Sequence, residues 1–140
     1  FDYGVCADIC VPAHDALTLT IAPGASGGLS AIQAALDDRI QPAAPGAMEV
    51  ERCTIAGAGD ARQFEGAFRP GADFGDAPYV VVEAGEDVWF APAEVRVEDG
   101  VIHAAAEMQT MTPGAWVDRA AVSVTLLGED RAVTIASCAQ

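Results

Sequence analysis

The chain has 140 residues, of which 51% are hydrophobic and 20% are charged, a composition that excludes an intrinsically disordered protein. Its length allows one domain or at most two small modules. Seven Arg oppose 21 acidic residues for a net charge of −14, and there is no Lys. The missing Lys excludes Schiff-base and P-loop chemistry, and the negative charge argues against nucleic acid as a partner. No apolar run reaches the roughly 18 to 20 residues that cross a bilayer, so we expect a globular, soluble protein.

The chain begins at Phe1 with no Met and no leader pattern, so we expect a signal peptide or an upstream domain to have preceded it. Its four cysteines, at positions 6, 10, 53 and 138, are an even set. That set favours an oxidising compartment over the cytosol. Buried free thiols are the alternative, because Cys also packs as a small hydrophobe.

The first third of the chain contains two predicted elements and a linker. Residues 17–21 alternate apolar and β-branched polar side chains, a pattern that predicts a half-buried strand. Residues 22–28 carry Pro, Ser and three Gly, which favour a linker or a helix entry. Leu29, Ile32, Leu36 and Ile40 follow at spacings of three and four and predict a helix that ends before Pro42.

From Met48 onward, short strand patterns alternate with turns every eight to twelve residues or so, which is typical of an all-β sandwich. Asp99-Gly100 predicts a type I′ hairpin, and Gly128-Glu129-Asp130 predicts a second one. The expected fold class is therefore mostly β: an immunoglobulin-like β-sandwich preceded by a cysteine-loop and strand segment and one short helix. The predicted strands are 48–55, 63–68, 79–83, 88–91, 94–98, 101–108, 121–127 and 132–138.

Cys6 and Cys10 form the segment with the most chemical information. An extended chain would hold them about 13 Å apart, whereas a disulfide needs Cα atoms about 4.4 to 6.8 Å apart, so the chain must turn between them. Such a small ring removes little loop entropy and stabilises a fold weakly. The pair is therefore either a reversible redox site or a surface staple, and the spacing alone does not decide between them.

The context of this pair resembles a known family. The segment Phe1-Asp2-Tyr3-Gly4-Val5-Cys6-Ala7-Asp8-Ile9-Cys10-Val11-Pro12-Ala13, followed by the 17–21 pattern, resembles the active-site segment of the periplasmic amino-terminal region of DsbD and ScsB type thiol:disulfide interchange proteins. The 29–40 helix and Trp89-Phe90-Ala91-Pro92 before a hairpin look like the second module of the ScsB-like branch.

The resemblance implies an electron relay in the periplasm. A membrane-embedded reductase domain would reduce the Cys6/Cys10 pair, which would then reduce thioredoxin-fold proteins without a cofactor or a metal. Cys10 would form the mixed disulfide with the client and Cys6 would resolve it. The residues themselves predict the same choice, because Val11-Pro12 after Cys10 favours an extended chain at a sheet edge, whereas Cys6 follows the apolar Val5 and is expected to be covered. Residues 1–23 would be the C-terminal tail of a truncated redox-active immunoglobulin-like module, 24–46 a helical linker and 47–140 a complete sandwich. The rest of the cysteine-bearing module would lie before Phe1.

Cys53 and Cys138 fall in the first and last predicted strands of the sandwich and have no redox-like context, so a structural disulfide between them is the economical pairing. Four cysteines allow three connectivities, and 6–10 with 53–138 is the favoured one. If all four cysteines were structural, the chain would be a non-enzymatic β-sandwich adaptor or a copper-handling module.

Three further groups of residues have competing interpretations. His103, Met108 and Met111 are a weak candidate for a copper site, because His103 and Met108 should face opposite sides of one strand. His14 either steadies a Cys10 thiolate or is solvated. Three aromatic residues are predicted to anchor the core of the sandwich, with carbohydrate or peptide binding as the minor alternative, namely Trp89, Phe90 and Trp116.

Overall fold

The computed structural model describes residues 1–7, 9–58, 61–112 and 115–138. The chain divides into two compact units, Phe1–Asp38 and Arg39–Gln140. Strands account for 48% of the chain and helices for 9%, so the mostly β fold class is confirmed. No helix in the described ranges is long and apolar enough to span a membrane.

The first unit contains a β-hairpin and one helix. Strand β1 (Asp2–Cys6) pairs antiparallel with β2 (Cys10–His14), and Cys6 lies directly opposite Cys10. Helix α1 (Leu29–Asp37) follows Gly28, whose φ of 79° lies in the left-handed region that glycine adopts without a Cβ clash.

In this unit the predicted strand is wrong, and the predicted helix is present but shorter. Residues 17–21 do not form a strand, and the side chains of Leu17, Leu19 and Ile21 are 79%, 83% and 75% exposed. A strand needs a hydrogen-bonded partner. None of the described strands pairs with residues 17–21, so these residues do not form a strand despite their alternating pattern. The helix ends at Asp37 rather than near Ile40, and none of its residues is buried.

The described residues of the second unit form nine strands in two sheets. They are β3 (Gln41–Pro42), β4 (Met48–Ala58), β5 (Ala61–Pro70), β6 (Tyr79–Glu83), β7 (Val88–Phe90), β8 (Glu94–Glu98), β9 (Val101–Thr110), β10 (Ser123–Leu127) and β11 (Ala132–Ile135). One sheet has the order β4-β5-β9, with β7 and β8 both paired to the far side of β9. The other has the order β3-β11-β10-β6. The orders β4-β5-β9-β8 and β6-β10-β11 are those of the ABED and CFG sheets of an immunoglobulin-like sandwich.

The core of the sandwich is built from alternate residues of both sheets. Buried side chains come from β5 and β9 on one side and from β6 and β10 on the other, namely Phe64, Phe68, Ile102, Val80, Val124 and Leu126. Gly66 lies between the two Phe residues of β5. A Cβ at this position would lie 2.9 Å from Cζ of Phe64 and 2.6 Å from Cζ of Phe68, so only glycine fits between the rings.

Both predicted hairpins are present. Asp99 and Gly100 have φ of 51° and 74°, the pair of positive values that a type I′ turn requires, and they join β8 to β9. In the second hairpin the Gly128 N–H donates to the Arg131 carbonyl over 2.8 Å, between β10 and β11.

The predicted core anchors are only partly correct. Trp89 and Trp116 are 54% and 82% exposed, so both predictions are wrong. Phe90 packs against the core, and its ring meets that of Phe64 edge to face at 6.2 Å. Successive side chains of a strand point to opposite faces, so Trp89 and Phe90 cannot both face inward.

Candidate functional site

The candidate site is the disulfide between Cys6 and Cys10 near the turn of the β1–β2 hairpin. Their Cα atoms are 4.0 Å apart. At the other end of the hairpin Phe1 and Asp15 exchange two backbone hydrogen bonds of 2.6 and 2.9 Å, which makes them a hydrogen-bonded pair. Because hydrogen-bonded and non-hydrogen-bonded pairs alternate along an antiparallel ladder, Cys6 and Cys10 form a non-hydrogen-bonded pair, the kind with the closer side chains.

The face of the hairpin that carries the disulfide also carries the pair Gly4–Pro12 and the pair Asp2–His14, because side chains alternate between faces. Gly4 leaves the sulfur atoms open. A Cβ at position 4 would be 3.7 Å from the Cys6 Sγ and 3.8 Å from the Cys10 Cβ, so any side chain there would pack over the disulfide.

Both cysteines of this pair are exposed. The prediction that Cys6 is covered is therefore wrong, because Val5, which precedes it, points to the opposite face and does not cover it. Exposure does not distinguish the two sulfur atoms.

The two outer edges of the hairpin do differ. Residues of non-hydrogen-bonded pairs point their backbone N–H and C=O groups away from the partner strand, so Gly4 and Cys6 present both groups at the edge of β1. On β2 the residue opposite Gly4 is Pro12, which has no N–H to present at the outer edge of that strand. A further strand can pair fully along β1 but not along β2, so the Cys10 side of the hairpin is the side that stays open.

Side-chain contacts hold the open end of the hairpin together. The Tyr3 hydroxyl donates to Asp15 Oδ2 over 2.7 Å. This hydrogen bond, with a smaller contribution from burial, raises the pKa of Tyr3 above 10.0. His14 Nδ1 lies 2.6 Å from Asp2 Oδ1. His14 is four residues from Cys10 along β2, about 13 Å in a strand, so the structure does not place it against the sulfur.

The opposite face of the hairpin is apolar and exposed. Phe1, Tyr3, Val5 and Val11 alternate with the residues of the disulfide face, and they are 76%, 46%, 63% and 56% exposed. A side chain added to this face points away from the two sulfur atoms.

The second disulfide has the opposite environment. Cys53 lies in β4 and Cys138 follows β11, with Cα atoms 5.5 Å apart and a sequence separation of 85. Both belong to the core cluster and are only 9% and 3% exposed. The structure thus contains the two pairings favoured by the sequence, one exposed and one buried.

The copper candidates are not brought together. Met108 is 1% exposed in the core, Met111 is 78% exposed beyond the end of β9, and His103 is half-buried on the outer side of the sheet. Within the described ranges no three His, Cys, Asp or Glu side chains form a cluster that could hold a metal ion.

Sequence reasoning missed the β1–β2 hairpin as a paired element. The signal was present: Phe1, Tyr3 and Val5 alternate with Asp2, Gly4 and Cys6, which is the period of a strand.

Comparison of the chain with models of known protein families, with curated proteins and with solved structures finds no match. The structure itself describes the chain as two units, one with a disulfide-linked hairpin and one that is a β-sandwich.

Proposed function

We propose that this chain is a periplasmic thiol:disulfide interchange module that acts through Cys6 and Cys10. It takes electrons from a membrane-embedded reductase domain and passes them to thioredoxin-fold proteins. The resemblance of residues 1–13 to DsbD and ScsB type segments suggests this direction of electron flow. The observation that carries the proposal is the contrast between the exposed Cys6–Cys10 disulfide and the buried Cys53–Cys138 disulfide.

Disulfide exchange requires that a thiolate reach a sulfur atom. The Cys6–Cys10 pair meets this requirement because both residues are exposed and Gly4 leaves the sulfurs uncovered. The local ring adds little to fold stability, which favours a role other than stapling. Cys53 and Cys138, in contrast, are enclosed by the core and are suited to a permanent link.

The proposed step begins with the pair reduced. The Cys10 thiolate attacks the client disulfide, a mixed disulfide forms, and one client thiolate leaves. Cys6, having lost its proton, then attacks the Cys10 sulfur, restores the Cys6–Cys10 disulfide and releases the second client thiolate. Two electrons pass to the client, two protons follow through the solvent, and a dithiol of the membrane partner reduces the pair again.

Cys10 is the proposed point of attack because Pro12 keeps the edge of β2 free of a further strand. The client must also supply positive charge. Residues 1–38 contain five Asp and no Arg or Lys, so no permanently charged cation of this unit can stabilise a thiolate. Contact with a client whose redox loop has a basic rim would supply that stabilisation.

Trapping with single-cysteine variants tests the assignment of Cys10. We expect Cys6→Ser protein, which keeps Cys10, to react about tenfold faster than Cys10→Ser protein with a thioredoxin-fold probe. The probe keeps one active-site cysteine, which is linked to a chromophoric thiol by a disulfide. Attack by Cys6 or Cys10 releases the chromophore, and its absorbance gives the rate of disulfide exchange. Equal rates would refute the assignment of Cys10. If neither variant reacted faster with the probe than with a small activated disulfide, the pair would be a structural staple and the chain a non-enzymatic adaptor.

A steric variant tests whether the open face above the sulfurs matters. Gly4→Val keeps both cysteines and suits a strand, but it places a branched side chain over the disulfide, so we expect slower reduction of Cys6–Cys10 by a thioredoxin-fold dithiol. Ala13→Val places the same isopropyl side chain on the other face of the hairpin and should leave the rate unchanged. Equal slowing in both variants would indicate a general effect on the hairpin and contradict approach from the disulfide face.

A further inference from the structure

A cavity of about 430 Å³ lies in the second unit, and neither Cys53 nor Cys138 is among its described lining residues. Ile55 of β4 and Arg62 of β5 form one side of it, and residues 116–120 form the other. Nothing in the proposed thiol chemistry uses this cavity.

The cavity is lined by two Arg side chains, Arg62 and Arg119. Among the described residues, ion pairs within 4.0 Å join Arg52 to Glu65, Arg69 to Glu51, Arg96 to Glu98 and Arg131 to Asp130. Within the described ranges, neither Arg62 nor Arg119 has such a partner, and both line the cavity. In a chain with 21 acidic residues and seven Arg, two unpaired Arg in one cavity are unexpected.

Arg62 is part-buried and only partly satisfied. Its Nη1 donates to the Ala115 carbonyl over 2.7 Å and its Nη2 donates to Thr110 Oγ1 over 3.0 Å. Its Nε is buried and has no partner among the described residues. Two neutral acceptors satisfy two of the five donors of a guanidinium and leave its charge uncompensated. Removing such a charge from water is costly, and an anion held in the cavity would lower that cost.

The other lining residues indicate what the anion would be attached to. Trp116 is 82% exposed and offers a flat apolar surface, while Ile55 and Val117 pack against the core. Among the described lining residues the only carboxylate is that of Asp118, which accepts from the Ala120 N–H over 2.9 Å within its own turn. A group with a negative end and an apolar body would match these surfaces.

We propose that this cavity binds an organic carboxylate that carries an aromatic or aliphatic group. The carboxylate lies toward Arg62 and Arg119, and the apolar group packs on Trp116. A free acid and the C-terminus of a peptide share this chemistry.

The fluorescence of Trp116 is the signal that measures binding in this cavity. The chain has two Trp, so Trp89→Phe protein reports on Trp116 alone. We expect N-acetyl-phenylalanine to change its fluorescence in a saturable way and the uncharged N-acetyl-phenylalaninamide to bind at least about tenfold more weakly, since the charge-assisted contact is lost. Binding of an acetylated tripeptide with the same terminal residue tests the source of the carboxylate. Tighter binding indicates a peptide end, and equal binding indicates a free acid.

Variants test the role of the Arg pair. Arg62→Met removes the part-buried charge but can loosen the segment that Arg62 holds, so Arg119→Gln, at an exposed position, is the decisive variant. We expect it to weaken N-acetyl-phenylalanine binding about tenfold, whereas Arg131→Gln, a control at an Arg paired with Asp130, has no effect. Equal affinity for acid and amide, no saturable signal, or unchanged binding by Arg119→Gln protein would overturn the proposal.

Discussion

Replacing Cys53 and Cys138 together by Ala is expected to lower the free energy of unfolding of the sandwich by about 4 kcal/mol. The disulfide closes a loop of 85 residues, so its loss gives the unfolded chain much more freedom. Both sulfur atoms also lie in the core, and the smaller side chains leave a space there. Urea unfolding followed by far-ultraviolet circular dichroism measures the change. A domain of this size has a total stability of roughly 5 to 15 kcal/mol, so the variant should lose a large fraction of it, from about a quarter to about four-fifths.

The matched control is Cys6→Ser with Cys10→Ser. This pair closes a ring with a sequence separation of only four, for which the same loop estimate gives about 2 kcal/mol at most, confined to the hairpin. The sandwich transition should not move. If the Cys6/Cys10 variant destabilised the sandwich as much as the Cys53/Cys138 variant, the separation of a stabilising disulfide from a reactive one would be wrong.

Phe68→Ala is expected to cost about 3 to 5 kcal/mol. The ring is 0% exposed and belongs to the core between the two sheets, so truncation loses its burial and leaves a cavity. Trp116→Ala, which removes a larger but 82% exposed side chain, should change stability by no more than about 0.5 kcal/mol. Urea unfolding of both variants compares their free energies of unfolding. A larger loss of stability for Trp116→Ala than for Phe68→Ala would contradict the assignment of Phe68 to the core and of Trp116 to the surface.

The sandwich was largely predictable because its strands obey a period of two and are separated by turn residues. Residues 79–83 and 94–98 were predicted with the observed bounds, and Asp99-Gly100 marked its hairpin through a backbone conformation that few other residue pairs adopt. The final strand was predicted to reach Cys138 but ends at Ile135. Strand ends depend on where the partner strand stops, which one segment alone does not show.

The two exposed Trp residues show that residue type alone does not predict which aromatic side chains are buried. Trp89 and Phe90 are adjacent in β7, so the pleat sends one inward and one outward, and the sequence does not say which. Phe90 faces the core and meets Phe64. In the same way, residues 17–21 have a strand pattern, but a strand forms only where a partner is available.

The candidate site was predictable in its residues and not in its geometry. The spacing of Cys6 and Cys10 required a turn between them. The register that places Pro12 opposite Gly4, and so makes the two edges of the hairpin different, follows from the pairing of whole strands. That difference in edges is the basis for choosing Cys10 over Cys6.

The reduction potential of the Cys6–Cys10 pair tests the central claim most directly. The protein is equilibrated in glutathione and thioredoxin buffers of known potential, free thiols are alkylated, and peptide mapping gives the oxidised fraction of each pair, with Cys53–Cys138 as the internal reference. The proposal predicts that Cys6–Cys10 titrates between about −180 and −270 mV, the range of disulfide-exchange proteins, while Cys53–Cys138 stays oxidised. A Cys6–Cys10 potential below about −300 mV, where structural disulfides lie, would contradict it.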